Sequence, residues 1–450
     1  MTALDQFADL VGPAACLTDP HDIEPYSIDW RGNFNARPTA VVKPASTDEV
    51  AGVLRAAAAA DLAVVPAGGR TGLCGGAVAL ANGPASIVLS LERLNRIRDV
   101  DAQDFSIVAE AGCVVQAVQQ AAADAGRLFP IQWGAQGTAQ IGGMLSTNAG
   151  GIRTLSWGNA RELVLGLEVV LPDGRILDDL RRVRKDNSGD ALRLAPELKR
   201  VETAFIAVPS PDAALALYGR FRESGADLIG FELAARHSMD LANRFGPVKV
   251  PLPLEAPWYV MAEIAAAHPS VPLREMMEET LGTAMEAGEV LDAVLAESEQ
   301  QRLSIWKIRE DLPECTRQGG PTVNTDTSVP VSAVPKFLNT AVGEVERRWP
   351  EGRIIAVGHA GDGNIHFSLQ APEGWDQGRP AWAARADGFE ALVNEIAVSL
   401  GGSFSAEHGI GQSKRHAMAT HKNPVALDLM RQIKATLDPE DRMNPGKVLP

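Results

Sequence analysis

The chain has 450 residues, 45% of them hydrophobic and 22% charged, so it holds enough apolar material for two or three domains rather than one. A formal net charge of −15, with no long run of Lys or Arg, excludes a phosphate-tracking surface and with it nucleic acid as a partner. The N-terminus has neither a secretory nor a transit-peptide layout, and the most apolar stretch, "VLRAAAAADLAVV", is interrupted by Arg55 and Asp61, so a cytoplasmic protein is expected, at most peripheral to a membrane.

In chain order, Ser46 and Glu49 form an S-x-x-E capping signal that opens an Ala-rich helix ending near Ala60, and Leu62–Pro66 follows as a short apolar strand. Strands are predicted at Ala85–Leu91 and Phe105–Ala111, and a helix from Val114 to about Asp124. "LVLGLEVVLPDGRIL" reads as a hairpin turned by Pro172, Asp173 and Gly174. From about Val201 a second strand-helix pattern begins: "VETAFIAV", "DAALALYGRFRES", "LIGFELA", "PWYVMAEIA" and a helix near Leu273–Ala287. One long helix over about Ala381–Leu400 and another over Pro424–Thr436 complete the pattern.

Two glycine-dense loops stand out. "PAGGRTGLCGG" runs straight out of a strand and can turn several backbone N–H groups toward an anion, yet it matches neither the Walker nor the G-x-G-x-x-G pattern; alone it reads equally well as a tight turn. "GAQGTAQIGGMLSTNAGGIRTLSWGN" is a second such loop. Ordering glycine is costly in entropy, and an extended bound cofactor explains why both loops are kept.

The ordered set "PAGGRTGL", "QIGGMLSTNAGG", "LVLGLEVVLPDGRIL", "RKDNSG", "GHAGDGNIH", "AEHGIGQSK" and "MNPGKVLP" resembles the flavin-dependent D-2-hydroxyacid dehydrogenases of the vanillyl-alcohol-oxidase superfamily. That group includes D-lactate and D-2-hydroxyglutarate dehydrogenases and the catalytic subunit of glycolate oxidase. The resemblance implies an α+β fold: a two-subdomain FAD-binding domain (1–209), an α+β substrate-binding cap (210–400) and a C-terminal segment (401–450) returning to the flavin. It implies FAD contacts from Pro66, Ala67, Gly68, Gly69, Arg70, Thr71, Gly72, Leu73 and Gly76 in the first loop. The second loop would contribute Gln136, Gly137, Ile141, Gly142, Gly143, Ser146, Thr147, Asn148, Gly150 and Gly151, and the terminal turn Asn444 and Lys447.

Three of the eight histidines, with a carboxylate, sit in "GHAGDGNIHFSL" and "SAEHGIGQSKR". The four cysteines, Cys16, Cys74, Cys113 and Cys315, are scattered, so any metal must use nitrogen and oxygen ligands. His359, His366 and Glu407 suit a divalent ion such as zinc and leave a coordination position open for substrate. Oxidising a 2-hydroxy acid also needs a base at the hydroxyl, a role that suits His408. By resemblance Arg309, in "IWKIRED", binds the substrate carboxylate; from the segment alone a solvated helix arginine reads as well.

Two departures from the family pattern matter. Gly189 leads through Asp190 directly into "ALRLAPELKR", which implies that a cofactor-lining segment is missing there. Asn324 stands where the relatives carry Lys, which weakens the expectation of a dicarboxylate substrate and favours a monocarboxylate such as lactate. The expected partners are therefore a small 2-hydroxy acid (D-lactate, D-2-hydroxyglutarate or glycolate class) and a separate electron acceptor: a quinone, an electron-transfer flavoprotein or oxygen. A homo-oligomer is expected. The rival readings are an inactive or flavin-poor homologue acting as a binding subunit, and a metal hydrolase; the hydrolase leaves both glycine loops unexplained.

Overall fold

The computed structural model describes residues 2–178, 180, 192–193, 195–196, 198 and 200–450. The stretch around Lys185–Asp190, where a missing segment was expected, lies outside these residues.

In the N-terminal half three parallel strands, Ala40–Val42, Ser86–Ser90 and Ala63–Ala67, lie side by side in that order, with Cys16–Leu17 antiparallel at one edge. They are buried almost throughout, as continuous Val/Ile/Leu runs covered on both faces should be. The helix Thr47–Ala59 starts where the capping signal placed it, its Ser46 hydroxyl accepting the Glu49 backbone N–H at 3.1 Å. Beside the Ala63–Ala67 strand, the Val64 N–H donates to the Arg442 carbonyl (2.8 Å) and the Asn444 N–H to the Val64 carbonyl (2.9 Å). The chain end thus returns to the strand from which the first glycine loop departs.

The larger sheet has eight antiparallel strands among the described residues. Its central strands are Arg200–Val208, Trp258–Ala266, Asp227–Ala235, Arg353–His359 and Asn364–Gln370. The Arg200–Val208 strand pairs along its whole length with Trp258–Ala266, so the expected cut after residue 209 falls on the wrong side of it. Side chains alternate across a strand, and here the alternation separates core from chemistry. Ile365, Phe367 and Leu369 pack into a core with Phe337, Trp382 and Phe389, whereas His366, Ser368 and Gln370 face the other way. Register carries that second face to Asn324, His359, Glu232 and Glu263 on neighbouring strands.

The long helix expected over Ala381–Leu400 is two, Gly378–Arg385 and Phe389–Ser399. Gly388, at φ 79°, breaks it in the left-handed region where a helix cannot continue. The hairpin forms as Glu168–Val170 and Ile176–Asp178, with Gly174 at positive φ in the turn. No helix among the described residues is long and apolar enough to cross a membrane.

Candidate active site

The two glycine loops meet. A Cβ on Gly69 would lie 2.0 Å from the Thr138 carbonyl oxygen and one on Gly68 3.4 Å from Gln140, so only glycine allows this approach at position 69. Gly72, Gly76 and Gly143 instead border open space, as the wall of a cradle should. Pro66 and Ala67 end the strand that feeds the first loop. Arg70 turns away: its guanidinium donates to the Pro25 carbonyl and lies 4.1 Å from the centre of the Tyr26 ring. Thr71 and Leu73 lie in the loop between them.

In the second loop Ile141–Thr147 is a short helix. Ile141 is core, and the Ser146 and Thr147 hydroxyls donate to the carbonyls of Gly142 and Gly143 within that helix. Gln136 accepts from Gln119, Asn148 accepts the Arg161 N–H, and Gly137 lies beside Gln116. Gly151 is pressed against Gln132, while a Cβ on Gly150 would lie 3.1 Å from a carboxylate oxygen of Glu407. The second glycine loop therefore runs close beside the histidine cluster. Lys447 is buried, donating to the Gly76 carbonyl (2.8 Å) and to Asn444 Oδ1 (2.9 Å); burial pulls its pKa down to about 7.

The histidines converge. His359 ends one strand and His366 follows on the next, their ring centres 6.3 Å apart, and His408 stacks on His366 at 5.4 Å with planes 12° apart. His359 Nε2 lies 3.7 Å and His366 Nε2 3.8 Å from the two oxygens of Glu407. Each imidazole turns its other nitrogen to a second carboxylate: His359 Nδ1 to Glu232, and His366 Nδ1 to Asp326 at 3.7 Å. This carboxylate–imidazole relay fixes ring orientation in metal sites. The donor atoms of His359, His366 and Glu407 lie within 4.8 Å of one another, a set that fits one divalent cation with positions left open. Asp326, His366 and His408 also cluster, but Asp326 already accepts backbone N–H groups from Ala406, Glu407 and His408 and pairs with Lys414 at 3.3 Å.

Burial sets the protonation states. It drives His366 well below its ordinary value and His408 down to about 4, despite the opposing charge of Asp326, so both rings are neutral near pH 7. Burial raises Glu407 as well. For Glu232 burial pushes upward, but the charges of His359 and Arg309 outweigh it and hold the carboxylate ionised. His359 responds in kind: burial lowers it, and Glu232 and Glu407 more than reverse the effect.

Arg309 is not a solvated helix arginine. The helix Glu299–Glu310 presents Arg302, Trp306 and Arg309 on one face to two buried carboxylates of the sheet. Arg309 Nε donates to Glu232 at 2.5 Å; Arg302 (3.0 Å) and Trp306 (2.5 Å) donate to Glu263, which Arg153 of the second glycine loop approaches at 3.7 Å. Glu232, Glu263, Asp326 and Lys414 were not singled out as site residues from sequence. A signal existed for two of them: a carboxylate inside the otherwise apolar strands "LIGFELA" and "YVMAEIA" demands a buried partner.

Comparison with known proteins bears on this arrangement. The family described as "FAD linked oxidases, C-terminal domain" matches residues 197–448, and "FAD binding domain" matches 38–179. The chain is 35% identical to a D-2-hydroxyglutarate dehydrogenase of Xanthomonas citri pv. viticola, over 96% of this chain and 93% of that protein. It is 33% identical to the mitochondrial D-2-hydroxyglutarate dehydrogenase of Bos taurus, over 98% and 82%. Among solved structures, p-cresol methylhydroxylase with substrate bound superposes with a TM-score of 0.76 at 14% identity, covering 99% of this chain and 96% of the other. The 4-ethylphenol oxidase of Gulosibacter chungangensis gives 0.75 at 15%, with the same coverage. These structural likenesses show that the chain shares the fold of those two proteins.

Proposed function

Since the chain belongs to the FAD-linked oxidases, carrying both the FAD-binding and the C-terminal domain of that family, we propose that it oxidises a small D-2-hydroxy acid to the 2-oxo acid at the imidazole cluster. The observation that carries this reading is the closeness of Gly150, in the second glycine loop, to Glu407 in the cluster, a side chain that even a Cβ at position 150 would crowd. Bound FAD supplies the hydride acceptor. We place a divalent cation, zinc by its donor set, on His359, His366 and Glu407, where it would polarise the substrate hydroxyl.

The side chains divide the remaining work. Neutral His408 keeps Nδ1 toward Asp326 at 3.7 Å, leaving Nε2 to accept the hydroxyl proton. Arg309, with Nε taken by Glu232, has its terminal nitrogens for orienting the carboxylate. Asn324 lies across from Ser368 on the face that carries His366, and the Ser368 hydroxyl donates to it at 2.9 Å. A neutral pair at that place supports a monocarboxylate such as D-lactate over a second carboxylate in the substrate tail. The cofactor unit runs to about residue 199, the cap from Arg200 to 400, and 401–450 completes both. A separate acceptor would take up the electrons that bound FAD receives.

The test is anaerobic mixing with D- and L-hydroxy acids while flavin bleaching is followed. Rapid reduction by a D-2-hydroxy monocarboxylate is expected; a protein that binds FAD but is bleached by no hydroxy acid would sink the reading. His408→Asn should retain FAD and lose reduction at least about 100-fold, the usual worth of a general base.

A further inference from the structure

Arg309 is electrically balanced by Glu232, and the protein as a whole is acidic, so neither attracts an anionic substrate. Two arginines outside any ion pair among the described residues lie elsewhere, Arg31 and Arg379. Asp29 closes a tight loop by accepting the N–H groups of Phe34 (2.7 Å) and Arg31 (3.3 Å), and the Phe34 ring packs on Gly75, where a Cβ would lie 2.5 Å from it. The neighbouring Cys74 thiol donates to the Gly409 carbonyl at 3.3 Å, one residue beyond His408. This loop therefore sits against the segment that carries the proposed base. From the cap side, Arg379 in the helix Gly378–Arg385 donates to the Arg31 carbonyl at 3.0 Å, and its helix is anchored by the fully buried Trp382.

Two arginines from opposite units thus meet beside the site, and among the described residues neither guanidinium forms an ion pair. Arg31 is half-buried, and its charge is felt by Asp326 and His408. Burial and the nearby Arg379 destabilise the Arg31 cation more than the charges of Asp326 and Asp29 stabilise it, so an arriving anion relieves the arrangement.

We propose that Arg31 and Arg379 form the capture site for the carboxylate of the incoming hydroxy acid, drawing it past the acidic surface to the imidazole cluster. This inference rests on the proposed oxidation and adds the residues that govern substrate arrival. Arg309 orients the carboxylate; Arg31 and Arg379 attract it. Such steering raises association by about 10- to 1,000-fold and fades with salt.

The experiment uses FAD-replete protein and its Arg31→Met, Arg379→Met and Arg31→Lys variants. The second-order rate constant for flavin reduction by D-lactate should fall about 10-fold or more in each Met variant, with a flatter dependence on ionic strength, while the limiting rate at saturation changes less than about threefold. Arg31→Lys should keep most of the salt dependence, which a purely structural role would not predict. Pyruvate, titrated against the oxidised flavin spectrum, should bind about 10-fold more weakly to the Met variants. The FAD dissociation constant should be unchanged; if it rises in the Met variants and pyruvate binding does not, the arginines serve the cofactor's pyrophosphate and the proposal is overturned. Unchanged rate constants and salt slopes in variants whose flavin is still reduced also overturn it, whereas failure of the native protein to be reduced at all counts against the oxidation itself.

Discussion

Glu232 and Asp326 are both sealed carboxylates beside the imidazole cluster, each with a cationic partner, yet they secure different kinds of structure. Glu232 lies within the large sheet, where register already aligns it with His359 on the adjacent strand; together with Arg309 it has only to hold a ring in one orientation. Asp326 faces a loop with no ladder of its own, and it supplies one by accepting the N–H groups of Ala406, Glu407 and His408 while Lys414 balances its charge. A sheet positions a ligand through its backbone pairing. A loop needs a buried acceptor to do the same.

If that contrast holds, Asp326→Asn has the largest effect. The amide loses the negative charge that strengthens those three N–H bonds and leaves the Lys414 ammonium buried without its counter-charge, so a stability loss of about 3–5 kcal/mol is expected, with loss of flavin reduction. Denaturant unfolding of the FAD-replete protein measures it, and a change below about 1 kcal/mol would show the loop to be held by other means.

Glu232→Gln should be milder and more selective. Arg309 keeps an acceptor and the strand keeps its register, while affinity for the proposed divalent cation falls about 10- to 100-fold at constant FAD content, read by elemental analysis after graded chelation. Equal losses of metal and flavin would erase the distinction between the two carboxylates.

Lys447 is the inverse case, a buried cation with only neutral acceptors. Its pKa in the fold, about 7, lies below the ordinary value near 10.4, so between these pH values the unfolded chain holds a proton that the fold does not. Stability of the apoprotein should therefore rise with pH through that window on account of this residue, and Lys447→Met should flatten the slope. An identical pH dependence of the urea midpoint in both proteins would remove Lys447 from the account.

Much of the fold was legible in local pattern. The Ser46 cap, the Gly174 turn and the apolar strands of the first sheet are decided by neighbours within a few residues, and sequence displays such neighbours directly. The break at Gly388 was missed because Ala-rich sequence on both sides continues a helical pattern through a single glycine whose φ is set by how two helices pack. The histidines and Glu407 announced themselves by residue type among glycines.

What the sequence determined by itself was the chemical inventory: two glycine cradles, three imidazoles with a carboxylate, and strands whose polar positions alternate with apolar ones. Which charge answers which was left to the tertiary structure. Arg309 meets Glu232 across 77 positions and His408 meets Asp326 across 82, and Arg31 meets Arg379 of the cap. The strength of an ionic interaction depends on separation and on how far water is excluded, and neither quantity exists until distant strands have packed face to face.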